Sequence, residues 1–185
     1  MNHVPPLPES YFRITNPERF ALLQTRAQEL MAKLASEYAV DVIETAGDDP
    51  QADNRLGTRI MKTVTLRPRS RNSAQIRMAF TDFPGVTVEF GVGTKVGFPA
   101  CGCDACNEQP EREAERLEWM VENAVAGRFT ERMRGLFRKR FEYSTWSDVG
   151  REAGFQVLSR NDPRRSLPRR AFHWSQWQKA NPGNS

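Results

Sequence analysis

The sequence predicts an α+β fold: an antiparallel meander sheet with two main helices packed on it, in the order helix, strands, helix, strands. Three observations predict it. Apolar residues recur at spacings of three and four in two separate stretches, one opening at Phe20 and one at Ala114. Between them, from Ile60 to Phe98, apolar and polar residues alternate by two, with Gly, Pro and Ser at the joints. The strands follow one another without intervening helices, which favours helices gathered on one face of an antiparallel sheet.

The first helix is expected behind Thr15-Asn16-Pro17-Glu18, with Asn16 as N-cap and Pro17 at the first helical position. Phe20, Leu23, Ala27, Leu30, Leu34 and Tyr38 form its apolar stripe. Tyr38 to Glu44 reads as a strand and Gly47 to Gly57 as an exposed loop. Ile60 to Arg67 and Ala74 to Thr81 are the next strands; in the second, Ile76, Met78 and Phe80 face one way and Gln75, Arg77 and Ala79 the other. Pro84-Gly85 suits the centre of a type II turn, followed by alternating Val86, Val88 and Phe90. A turn at Gly93-Thr94 leads into a short return strand, Lys95 to Phe98. The second helix starts at Pro110, carries Ala114, Leu117, Val121, Ala124 and Val125 on one side, and closes at Gly127. Leu136 to Ser144 and Phe155 to Ser159 read as closing strands. Residues 1–160 make one domain in this reading, and 161–185 a basic, Trp-containing tail packed upon it.

Composition narrows the function classes. The chain has 185 residues, 38% of them hydrophobic, enough to bury a core without staples. No stretch approaches the ~18 apolar residues of a membrane span, and Met1 to Pro8 lacks the basic and apolar segments of an export signal, so a cytoplasmic protein is expected. The net charge of +4 is unevenly spread: seven basic and no acidic residues lie between Arg55 and Thr81, and six glutamates between Glu108 and Glu122.

All three cysteines fall in one six-residue segment, Cys101-Gly102-Cys103-Asp104-Ala105-Cys106. A secreted domain spreads an even number of cysteines to close loops, so this cluster reads as reduced thiols or metal thiolates. Cys103 and Cys106 form a CxxC knuckle of the kind that presents two thiolates to zinc from one turn, and Cys101 supplies a third. Zinc wants a fourth ligand. His3 and His173 are the two histidines, both in terminal segments, and the candidates for the fourth position are His173 and Asp104. Two other readings stay open. A CxxC ahead of a helix can run thiol–disulfide chemistry with Cys101 as resolving partner, although Glu108, Glu111 and Glu113 oppose thiolate formation. Alternatively, the cysteines are reduced and simply packed in a Gly-containing turn.

Pro5-Pro6-Leu7-Pro8-Glu9-Ser10-Tyr11, Thr15-Asn16-Pro17-Glu18-Arg19-Phe20, Phe80-Thr81-Asp82-Phe83-Pro84-Gly85 and above all Phe98-Pro99-Ala100-Cys101-Gly102-Cys103-Asp104-Ala105-Cys106 carry a resemblance. The chain resembles, over most of its length, an uncharacterised bacterial family classed as a domain of unknown function. The resemblance implies one domain and carries no role to any residue.

Other constellations are less specific. Catalysis through a Ser/His/acid or Cys/His arrangement needs a base placed on the scaffold, and both histidines are peripheral. Gly91-Val92-Gly93-Thr94-Lys95-Val96-Gly97 superficially suggests a phosphate loop, but its glycine spacing is wrong and no helix follows, so a hairpin is expected. Glu111, Glu115, Glu118 and Glu122 share a helical face that reads as solvated and ion-paired with Arg112 and Arg116. Arginines from Arg128 to Arg140, beside Phe137, Phe141 and Tyr143, and a tail with Arg164, Arg165, Arg169, Arg170, Trp174 and Trp177 offer a surface for nucleic acid. The leading expectation is a non-enzymatic binding or adaptor protein with a protein partner and a zinc-stabilised cysteine turn; the alternatives are a thiol-dependent redox protein and a nucleic-acid binder.

Overall fold

Helix α1 (Ala21–Glu37) follows a 3-10 turn at Pro17–Phe20 and lays Leu23, Ala27, Leu30, Met31 and Leu34 into the core. The computed structural model describes residues 8–11, 13–47 and 58–181; His3 and nearly all of the loop expected at Gly47 to Gly57 lie outside them. Asn16 is not the side-chain cap expected of it. Its backbone is left-handed, with φ 55°, and its side chain makes no capping bond. The physical cause lies one residue earlier: Thr15 is bonded to Asp104, and the chain has to turn at Asn16, a residue type that tolerates this conformation.

Five antiparallel strands come next, in sequential order: β1 (Val40–Ala46), β2 (Ile60–Pro68), β3 (Ile76–Thr81), β4 (Val86–Phe90) and β5 (Thr94–Phe98). α1 and helix α2 (Pro110–Val125) pack against each other, and their apolar stripes meet the inward side chains of the sheet. Leu66, Ile76, Met78, Val88 and Phe90 lie under Leu23, Leu117 and Met120. Alternation by two along β4 delivers this directly, with Val86, Val88 and Phe90 buried and Thr87 and Glu89 half-buried. The type II turn expected at Pro84-Gly85 does not form, because that turn needs a positive φ at its third residue and Gly85 has none. Gly85 is required by space instead: a Cβ there would stand 2.7 Å from the Phe98 carbonyl oxygen.

The strands divide into two sheets. β6 (Phe129–Arg134), β7 (Arg140–Ser147), β8 (Gly150–Val157) and β9 (Ala171–His173) form a second antiparallel sheet in the order β8-β7-β6-β9. The closing strands read at Leu136 to Ser144 and Phe155 to Ser159 correspond to β7 and β8 with displaced ends, and β6 and β9 were absent from the sequence reading. Met133, Phe141 and Leu158 make a small second core on the inner face of this sheet.

Glu131, 1% exposed, ties the sheets together. Its carboxylate accepts the amides of Val92 (2.9 Å), Gly93 (3.2 Å) and Thr94 (2.8 Å), the Thr94 hydroxyl (2.7 Å) and the Trp174 indole N–H (2.9 Å). Segment 91–97 is therefore a hairpin whose turn amides converge on an anion, and the anion is the protein's own. Burial pushes the Glu131 carboxyl above its ordinary range, against the pull of these donors. Past β9, Trp177 is buried in the main core, donates its indole N–H to the Ala74 carbonyl at 2.8 Å and meets Tyr38 edge-on. Among the described residues no helix is long and apolar enough to cross a membrane.

Candidate metal centre

β5 ends where Pro99 removes a donor, and α2 begins with Pro110 at its first turn; the segment between them carries the cysteines. Its path is set by two carboxylates. Glu108 reaches back to accept the amides of Ala100 (3.2 Å), Cys101 (3.0 Å) and Gly102 (2.7 Å). Asp104 reaches outward, accepting the Thr15 amide (2.7 Å), the Thr15 hydroxyl (2.8 Å) and the Arg13 Nε (3.0 Å), while its own amide donates to the Arg13 carbonyl (3.0 Å). Thr15 and Arg13 hold the Asp104 carboxyl below its usual range. Gly102 has φ +78°, and a Cβ there would sit 3.0 Å from the Phe83 ring, so the turn needs glycine for both conformation and contact.

Held this way, the three thiols converge. Cys101 Sγ lies 3.1 Å from Cys103 Sγ, Cys103 Sγ lies 3.4 Å from Cys106 Sγ, and all three sulfurs fall within 4.8 Å of one another. Thiolates sharing one tetrahedral zinc at ~2.3 Å stand about 3.8 Å apart, so sulfurs at 3.1 and 3.4 Å have only to open slightly to share a single ion. The spacing suits a four-iron, four-sulfur cluster less well, because there each thiolate binds a different iron. Cys101 is half-buried, Cys103 buried and Cys106 exposed. The Cys101 thiol and the amides of Cys106 and Ala105 hydrogen-bond to Cys103 and hold it below its ordinary value. The Cys106 thiol, bonded to Cys101 and Cys103, is pushed up to about 12. A cation arriving at these sulfurs would displace their protons.

The fourth ligand expected from sequence is not in place. Asp104 spends both carboxylate oxygens on Arg13 and Thr15, and His173 stands exposed on β9, paired with Thr130. Among the described residues the group placed so that it could hold a metal ion consists of the three cysteines. Glu108, read as an opponent of thiolate formation, also organises the backbone of the turn through the three amides it accepts. No pattern in the sequence marks that role, since it depends on the return of the chain from Gly102 to Glu108.

The basic residues considered for nucleic acid are scattered. Arg128 bonds Asn123 (2.7 Å), Lys139 bonds the Arg165 carbonyl (2.6 Å), and Arg164 bonds Asp162, Gly93 and Gln156. Trp174 serves Glu131 and Trp177 the core, so neither tail tryptophan is a free stacking surface. Arg132, Arg134 and Arg140 remain on one outer face of the second sheet, joined by Arg151 and Phe155 of β8, which sequence reasoning missed.

No match exists among curated proteins or among solved structures. One comparison spans nearly the whole chain, including the cysteine turn and the N-terminal segment docked on it: matched over residues 2–181, the chain belongs to a family of unknown function, DUF6226.

Proposed function

We propose that the chain is a non-enzymatic binding or adaptor protein whose cysteine turn holds one zinc ion through Cys101, Cys103 and Cys106. The observation that carries this reading is the convergence of three sulfurs within 4.8 Å, held by Glu108 and Asp104 on either side of the turn. A three-thiolate set leaves one tetrahedral position to a donor outside the described residues, a water or a group on a partner.

Cobalt titration tests the reading. Cobalt(II) in the same site should give intense thiolate-to-metal absorption in the near ultraviolet at one equivalent, lost in Cys103→Ser. The redox alternative rests on the same low-lying Cys103 thiol and predicts instead a reversible Cys103–Cys106 disulfide under mild oxidant, with no cobalt spectrum.

A further inference from the structure

The outer face of the second sheet concentrates features that the cysteine turn does not use. Alternation along β6 and β7 turns Phe129, Glu131, Met133, Phe141 and Thr145 inward, so Arg132, Arg134 and Arg140 point out together. Arg151 and Phe155 point the same way from β8, opposite Trp146 and Glu142 of β7. Arg132, Arg134, Arg140, Glu142, Arg151 and Phe155 line a cavity of about 470 Å³, and Trp146 lies on the same face beside it. Glu142 answers two of the four arginines, Arg134 at 3.0 Å and Arg140 in close contact. Arg132 has no carboxylate partner among the described residues, and Arg151 has only the Ser144 hydroxyl at 3.3 Å. The face therefore keeps an excess of positive charge.

Its aromatic rings are as unusual as its charge. Phe155 is 68% exposed and Trp146 39% exposed on the same face, and the Arg140 guanidinium lies 5.9 Å from the Phe155 ring centroid. An exposed phenyl ring flanked by guanidinium groups suits a ligand with flat rings and regularly spaced anions. From Arg140 to Trp146, β7 runs about 20 Å at ~3.3 Å per residue, room for several nucleotides along the strand. Exposed rings stack most readily on unpaired bases, whose faces are free.

We propose that the outer face of the second sheet binds single-stranded nucleic acid, with Arg132, Arg134, Arg140 and Arg151 contacting phosphates and Phe155 and Trp146 stacking on bases. Arg132 and Arg151 carry most of the phosphate attraction, because Glu142 offsets the other two. Binding is largely independent of base sequence, since a stacking platform reads every base through its ring face.

The test is fluorescence anisotropy with the full chain and a labelled oligothymidylate of about twelve nucleotides, across roughly 50 to 300 mM salt. Binding should weaken steeply with salt. The double variant Arg132→Glu/Arg151→Glu should bind at least about tenfold more weakly, with a shallower salt slope. Phe155→Ala should bind about tenfold more weakly with the slope unchanged. Arg67→Glu, on β2 of the first sheet, should leave affinity near that of the parent, and matching thermal melting curves establish that all variants fold. No binding at low salt overturns the proposal, as does equal loss in Arg67→Glu. Unchanged affinity in Phe155→Ala removes the stacking and with it the nucleic-acid assignment. Displacement by polyglutamate of matched charge as effective as by unlabelled oligothymidylate assigns the face to acidic polypeptide instead.

Discussion

Asp104 and Thr15 meet through two hydrogen bonds, from the Thr15 amide at 2.7 Å and its hydroxyl at 2.8 Å, so the cysteine turn and the segment leading into α1 hold one another in place. Arg13 adds a third contact, from its guanidinium. Asp104→Asn keeps the shape but loses the charge that these donors favour. Trypsin should then cut after Arg13 faster than in the parent, while the melting temperature changes little. The pH dependence follows from the lowered Asp104 carboxyl. Its contribution is present above the unfolded carboxyl value of about 3.9 and is lost as pH falls through the lower folded value. Amide exchange at Thr15 should accordingly stay slow at neutral pH and accelerate only in that acid window.

Glu108→Gln should loosen the cysteine turn without removing a thiol. A carboxylate accepts from all three amides of Ala100, Cys101 and Gly102, whereas a carboxamide presents one acceptor and turns a donor toward the others. Groups that orient metal ligands typically matter about 10- to 100-fold in affinity. Zinc affinity, measured by competition with a chromophoric chelator, should fall within that range in this variant.

Glu131→Gln should destabilise the fold by about 2–4 kcal/mol in urea denaturation, because the amide nitrogen would face donors in a buried site. Zinc binding should survive, since Glu131 lies on the second sheet and the cysteine turn on the far side of β5.

Trp177→Ala should cost about 3–5 kcal/mol, the range for emptying a buried aromatic site. Its ring is in the main core and its N–H serves the Ala74 carbonyl, so the chain past β9 is part of the fold. Melting temperature in the variant checks this.

How much of this was legible in the sequence depends on how local the cause was. The stripe from Phe20 to Leu34 and the alternation along β3 and β4 read correctly because each pattern repeats within its own element. β6 escaped because Glu131 occupies an inward position, where a carboxylate breaks the apolar rhythm; only the turn amides of Val92 to Thr94, some forty residues away, make that burial tolerable. β9 has three residues and depends on β6 for its existence. The clustering of the cysteines was plain from their spacing. The roles of Glu108 and Asp104 were not, because a carboxylate bonded to backbone amides leaves no spacing rule in the chain. The basic residues were legible in part: Arg132, Arg134 and Arg140 do share the outer face, because β6 and β7 pair Arg134 with Arg140, but Arg151 joins them from β8, which no spacing along the chain announces.

The most direct measurement is the zinc content of protein purified without an affinity-tag metal, by elemental mass spectrometry, beside a count of reactive thiols before and after chelation. The account predicts close to one zinc per chain, three thiols protected until the chelator is added, and loss of the metal in Cys103→Ser. Metal-free protein with three thiols reactive from the start, and no zinc uptake on titration, would contradict it.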